Sequence, residues 1–328
     1  MTAPAKEEEG KAMSDETEWM HSVQLAGPAL LAPVDAPVPE ALAPGEIRVR
    51  LEIAGICGSD RPGFIWGKDK AGQRPPGFPA HECLGTVVQT SGAPALLDQR
   101  VIAIPNGDAG LSQLFCAPIS KAYVLRHPLP AETAILAQPL AAVLAAAERL
   151  GEVRGAKAAV LGLGPCGLMF GYVLREMGVE TLAGFDRQDR SSAPLISCFD
   201  RIGKQINPVS DCDLVVDAVG HDQELVNLAI GATAHRGTVL AFGVPDDDVY
   251  CLNYRAFFRK CLTLVANVQP DWQTYLPRAE DFIAAHPDLG RLVTHVFDVA
   301  EAQTAFETAF LQEDASRGKV LITPESWK

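Results

Sequence analysis

AKAAVLGLGPCGLMFGYVLREMG, residues 156–178, runs from an unbroken apolar stretch through three spaced glycines into a run of good helix formers. The apolar part, Ala156 to Gly164, suits a strand buried on both faces, and Gly167 to Gly178 suits the helix that follows it. Between them GLGPCG sets glycines at 162, 164 and 167. In a strand-to-helix turn the first permits the bend, the second lets the backbone approach a pyrophosphate, and the third lets helix and strand pack closely. Free N–H groups and the dipole at the helix start favour an anion there. ETLAGFD then ends a second strand on Asp186, about twenty residues on, where a carboxylate accepts hydrogen bonds from the hydroxyls of an adenosine ribose. Loop, strand and acid in register predict a dinucleotide site. The acid would repel a 2′-phosphate, which favours NAD over NADP; Arg187 and Arg190 behind it could shield a phosphate and keep NADP open.

Strand and helix patterns keep alternating beyond this unit, as a parallel α/β domain requires. CDLVVDAVG (212–220) is followed by the helical DQELVNLAIGAT (222–233) and by GTVLAFGVP (237–245). The stretch from Arg187 to Asp213 is short for the helix and third strand it should hold. Upstream the texture differs: IRVRLEIAGI (47–56), CLGTVVQT (83–90) and RVIAIP (100–105) are short β-like runs among turn residues, an antiparallel, barrel-like region. An Ala/Leu-rich helix from 131, closing on Gly151, separates the two textures. The chain closes with helices at 275–286 and 300–310 and the strand GKVLITP (318–324). Residues 1–20, with the acidic run Glu7–Glu9, lack apolar periodicity and are expected to be a disordered tail.

At 328 residues the chain exceeds what one ordinary core serves and suits two domains. Forty-one acids against 28 bases give a charge of −13, which repels phosphate backbones and argues against nucleic acid as a partner. No apolar run approaches the ~18–20 residues a bilayer crossing needs. Eight scattered cysteines without CxxC pairs read as reduced thiols of a soluble, cytoplasmic protein.

GICGSD (55–60) and FPAHECLGTV (78–87) each adjoin a strand. Cys57, His81 and Glu82 offer thiolate, imidazole and carboxylate, and three such ligands with an open fourth position define a catalytic zinc site, where the ion acts as a Lewis acid on an alcohol oxygen. The order of GICGSD, HECLGTV, QRVIAIP, QPLAAVLAA, GLGPCG, DAVG, GTVLAFGVP and the closing LVTHVFDVAEAQTAFE and GKVLITP resembles the medium-chain dehydrogenase/reductase family, in its zinc-dependent alcohol and polyol dehydrogenase branch. The resemblance spans about residues 22 to 324. It implies an α/β protein with a GroES-like β-barrel catalytic domain from residues 21–138 and 269–328, and a doubly wound Rossmann domain at 139–268, with the active site in the cleft. It assigns Cys57, His81 and Glu82 to zinc, Ser59 to passing the alcohol proton outward, and Asp60 to orienting the His81 ring. Val219 and Val244 would line the adenine and nicotinamide pockets. A homodimer or homotetramer is implied as well.

Departures from the family pattern matter equally. Gln138 stands where polyol dehydrogenases carry glutamate and many alcohol dehydrogenases cysteine, and a carboxamide is a poor zinc ligand. The four-cysteine lobe that holds a structural zinc in many relatives is missing beyond VIAIP, so no structural zinc is expected. Relatives often carry a histidine shortly after GSD; here Arg61, Pro62 and Gly63 follow, and Arg61 reads as a solvated loop residue or as facing an anionic substrate group. Arg61, Trp66, Lys68 and Asn106 are compatible with a polyhydroxylated substrate. The expected function is hydride transfer between NAD and a secondary alcohol of a polyol, sugar or cyclitol. The alternatives are a zinc-independent quinone or alkene reductase of the same superfamily and a catalytically idle nicotinamide-binding protein.

Overall fold

A computed structural model describes residues 17–39, 41–67, 74–204, 211–267 and 269–327. Two sheets organise it. The first consists of six parallel strands in the spatial order Arg201–Gly203, Thr181–Phe185, Lys157–Leu161, Cys212–Asp217, Thr233–Ala241, Thr263–Ala266. Counted along the chain this is 3-2-1-4-5-6, the doubly wound order, and the direction of winding reverses beside Lys157–Leu161, where a ligand crevice forms at the carboxyl ends of the strands. The central strands carry apolar side chains buried on both faces, as at Ala158 to Leu161. Helix Pro165–Glu176 starts at the glycine turn with Pro165 in its first turn, where a missing N–H costs nothing.

The expected third strand is present but spans only Arg201 to Gly203. Among the described residues, the crossover leading to it holds a 3-10 turn at Ile196–Cys198 in place of an α-helix. Phe199 fills that space instead: its ring lies against Gly171 of the glycine-loop helix and Gly184 of the second strand.

The second sheet runs Val293–Asp298, Lys319–Thr323, Glu46–Gly55, Glu82–Thr90, Arg100–Ala103, Ala122–Val124, with Leu114–Pro118 pairing Glu46–Arg50. Its pairing is antiparallel except between the first two strands. Both chain ends therefore build it: Leu321 opposes Gly55, and Gly55 opposes Glu82. A hairpin, Trp19–Gly27 with Leu30–Pro37, packs beside it. That hairpin begins inside the segment expected to be unstructured: Trp19 and Met20 open its first strand, which buries Met20, Ser22, Val23 and Leu25; residues 1–16 lie outside the described residues.

Helix Ala137–Glu148 buries Leu140, Ala141, Val143 and Ala145–Ala147, and its core joins Ile53, Leu84 and Ile102 of the mixed sheet to Val160 and Leu214 of the parallel one. One core thus ties the two sheets together. Ala131–Glu148, interrupted by Glu132 and Gln138, is by length and mean hydropathy alone enough to cross a bilayer. It is 72% buried within the protein, as a core helix is.

Candidate active site

Strand Glu46–Gly55 delivers Cys57 at its end, and strand Glu82–Thr90, paired to it in register, begins with Glu82 just after His81. Ligand atoms of Cys57, His81 and Glu82 all lie within 4.8 Å of one another, the one cluster of three potential metal ligands among the described residues. Asp60, buried at the start of helix Asp60–Trp66, fixes two of its members. One carboxylate oxygen accepts from the Cys57 amide at 2.9 Å, and the other lies 2.7 Å from His81 Nδ1. That contact leaves His81 Nε2 turned to the interior of the cluster, where Ser59 Oγ sits 3.2 Å from it and 3.1 Å from Cys57 Sγ. Burial pulls the His81 pKa down, but the Asp60 carboxylate and the Cys57 thiolate outweigh it and hold the imidazole well above its ordinary value. A metal ion would have to displace that proton, so affinity should fall in acid.

Glu82 is fully buried, and neither carboxylate oxygen receives a hydrogen bond of normal geometry. It does form an ion pair with Lys319, itself only 2% exposed at the start of strand Lys319–Thr323. Burial lowers the lysine pKa, yet Glu82 and the neighbouring thiols raise it overall, so the ammonium stays charged. Sequence reasoning missed Lys319. Its one signal was a lysine opening the otherwise apolar GKVLITP. The donor set of thiolate, imidazole and under-coordinated carboxylate fits a zinc ion, with Lys319 as a competing cation. Gln138 is buried at the start of its helix.

The glycine loop lies against this cluster. Cys166, on the first turn of the loop's helix, has its thiol pKa pushed up by burial and by the charges of Cys57 and Glu82, with Lys319 opposing. Gly162 adopts φ +88°, and a side chain on Gly167 would overlap the Gly162 carbonyl; a Cβ on Gly164 would meet open space. That is the pattern a bound diphosphate requires: two glycines fixed by protein packing, one facing outward. Asp186 accepts from the Leu163 amide of the same loop at 2.9 Å and from Gln188 at 3.0 Å. Arg187 is exposed and, with Gln188, Asp189, Lys204, Glu313 and Asp314, lines a cavity of about 440 Å³. Arg190 is not available to a phosphate: it is buried and donates to the carbonyls of Asp314 and Arg317.

Val219 packs on Gly162, and Val244 adjoins Gly220 at the carboxyl edge of the parallel sheet. Asp217, another residue the sequence did not single out, holds this turn by accepting from the Val219 and Gly220 amides at 3.0 and 3.2 Å. Burial raises its pKa although both amides pull it down. A raised carboxyl pKa means that stability falls as pH climbs above the unfolded value of about 3.9. Asp217→Asn keeps the accepting oxygen and removes the buried charge. The variant is therefore expected to melt higher than wild type at pH 7, with the gap closing near pH 4, in thermal scans across that range.

Asn106 does not gather here as the sequence suggested: it donates to Glu46 at 2.7 Å. Arg61 stays beside the cluster, next to Asp60, but pairs with Asp246. Trp66 is half-exposed at the end of its helix, and Lys68 lies outside the described residues.

Residues 43–121 match the alcohol dehydrogenase GroES-like domain. The chain is 27% identical over 328 residues to D-altritol 5-dehydrogenase of Agrobacterium fabrum, covering 86% of this chain and 94% of the relative. It is 24% identical over 333 residues to sorbitol dehydrogenase of Gallus gallus, covering 83% and 88%. Among solved structures, an alcohol dehydrogenase from Thermus sp. ATN1 shares the fold at a TM-score of 0.81 and 23% identity, over 93% of this chain and 99% of the other.

Proposed function

The chain belongs to the medium-chain dehydrogenase/reductase family, in its zinc-type alcohol and polyol dehydrogenase branch, and on that premise we propose that it moves a hydride between NAD and the carbinol carbon of a small polyhydroxylated alcohol. The observation that carries this reading is the placement of Cys57, His81 and Glu82 beside the first turn of the glycine-loop helix. A metal-ligand set and a coenzyme loop are needed side by side for such a transfer.

In this reading Cys57, His81 and Glu82 hold one zinc ion, which supplies Lewis acidity towards an alcohol oxygen. The chain's own groups do the rest. Asp60 fixes the imidazole through Nδ1 so that Nε2 is offered as a lone pair. Ser59, whose hydroxyl touches both Cys57 and His81, passes the alcohol proton outward. Amides in the first turn of the glycine-loop helix, those of Cys166 and Gly167, take the diphosphate, Asp186 orients the adenosine ribose, and Val219 and Val244 face the rings. Three acids around the adjoining cavity, Asp189, Glu313 and Asp314, against Arg187 and Lys204, favour NAD over a coenzyme with an additional phosphate. The eight free thiols support a cytoplasmic enzyme. The stacked rings of Tyr254 and Phe258, each more than two-thirds exposed on the helix that precedes the edge strand Thr263–Ala266, support a homodimer.

A screen of polyols, sugars and cyclitols with NAD and NADP tests the proposal. NAD-dependent oxidation of a secondary alcohol, lost with a chelator, is the expected result. Lys319 and Gln138 support a second reading, a zinc-independent reductase, since the ammonium can neutralise Glu82 without metal. Elemental analysis separates the two: about one zinc per chain belongs to the first reading, none to the second.

A further inference from the structure

The ion pair between Arg61 and Asp246 joins the two halves of the proposed site. Arg61 lies in the first turn of helix Asp60–Trp66, next to the aspartate that holds Cys57 and His81. Asp246 follows Val244 and Pro245 at the carboxyl edge of the parallel sheet. Arg61 Nη1 is 3.2 Å from Asp246 Oδ2, with the two side chains 33% and 19% exposed. The aspartate is anchored from behind: its amide donates to Tyr250 Oη at 3.1 Å, and that hydroxyl donates to the Gly220 carbonyl at 2.8 Å. Gly220 in turn sits against Gly243 and Val244. An unbroken chain of contacts therefore runs from the His81–Asp60–Cys57 cluster, through Arg61 and Asp246, to the turn that flanks the proposed nicotinamide pocket.

Two observations argue that the pair does more than add stability. An ion pair with this degree of exposure contributes little to folding, and Asp246 Oδ1 is buried without any hydrogen-bond partner, a feature that costs stability. Engagement by Asp246 also neutralises Arg61, which removes the anion-facing role considered for it from the sequence. We infer that Arg61 and Asp246 are a positioning pair, which sets the separation between the alcohol-binding loop and the nicotinamide edge. The inference rests on the dehydrogenase reading. Hydride transfer depends steeply on that separation, and a displacement of about 1 Å can cost about a hundredfold in rate.

The test is a double-mutant cycle with Arg61→Gln, Asp246→Asn, their combination, and the reversed pair Arg61→Asp with Asp246→Arg. Each single variant is expected to lower kcat by about tenfold or more with little change in melting temperature or in NADH affinity measured by fluorescence. The combined change should cost no more than either single one, and the reversed pair should recover much of the loss. Additive effects, or singles with unaltered kcat, would overturn the inference. Hydrogen exchange of residues 57–65 and 243–250 provides a readout independent of turnover: both segments should lose protection together in either single variant, and loss in one segment alone counts against the pair. If wild type turned over no alcohol at all, the dehydrogenase reading would fail, while the exchange result would still decide whether the pair couples the two loops.

Discussion

Cys57→Ser is expected to lower kcat/KM for alcohol oxidation by about a thousandfold or more while leaving NADH affinity nearly unchanged. The size follows from what a Lewis acid supplies, several kcal/mol of charge stabilisation at the reacting oxygen, and from the equivalence of about 1.4 kcal/mol with a factor of ten in rate. Serine offers a neutral hydroxyl in place of a thiolate, so the remaining His81 and Glu82 hold zinc weakly, and Glu82 already has a cation in Lys319. Coenzyme contacts are spared because the glycine loop and Asp186 belong to the other sheet. Steady-state kinetics, NADH fluorescence titration and zinc content on one preparation check all three statements. A loss smaller than about tenfold would mean that Cys57 is no part of the chemistry. The raised pKa of His81 adds a direction: zinc retention should weaken as pH falls below that raised value, since proton and metal compete for Nε2.

How much of this was legible depended on the range over which each feature is encoded. The glycine loop was readable because its requirements are local. A buried strand, a residue able to adopt φ +88° at 162, a close approach at 167 and an acid ending the next strand are all adjacent along the chain. Cys57, Ser59 and Asp60 were readable for the same reason, since the bonds that Asp60 and Ser59 make to Cys57 lie within the motif GICGSD. The crossover before Arg201 was opaque, since a three-residue strand carries almost no periodicity. Long-range partners were opaque too. Lys319 reaches Glu82 only because the last strand pairs beside Gly55. Glu280, in the helix expected at 275–286, is fully buried and accepts from Tyr123 Oη at 2.6 Å and from the amides of Arg126 and His127 at 2.8 Å. No spacing rule distinguishes such an acid from its exposed neighbour Asp281.

Lys319→Met should destabilise the protein by about 3–5 kcal/mol when zinc is withheld, because it leaves the Glu82 carboxylate buried with no cation. Methionine matches the length of the lysine stem, so packing changes little and the loss reports the charge. The double variant Lys319→Met with Glu82→Gln removes both charges and should recover most of the stability, although the amide must still find partners. Lysine titration will not blur the comparison. Its raised pKa keeps the pair's contribution complete below the unfolded value of about 10.4, and it is lost only as pH rises through the folded one. Zinc distinguishes a structural pair from a working one. If Glu82 turns between Lys319 and a metal ion, added zinc gives the lone carboxylate a new cation, so the Lys319→Met deficit should shrink with zinc and the variant should bind the metal more tightly than wild type. Denaturant unfolding with and without zinc measures this. An equal deficit in both conditions would place Glu82 outside the metal's reach and leave Cys57 and His81 without their third ligand.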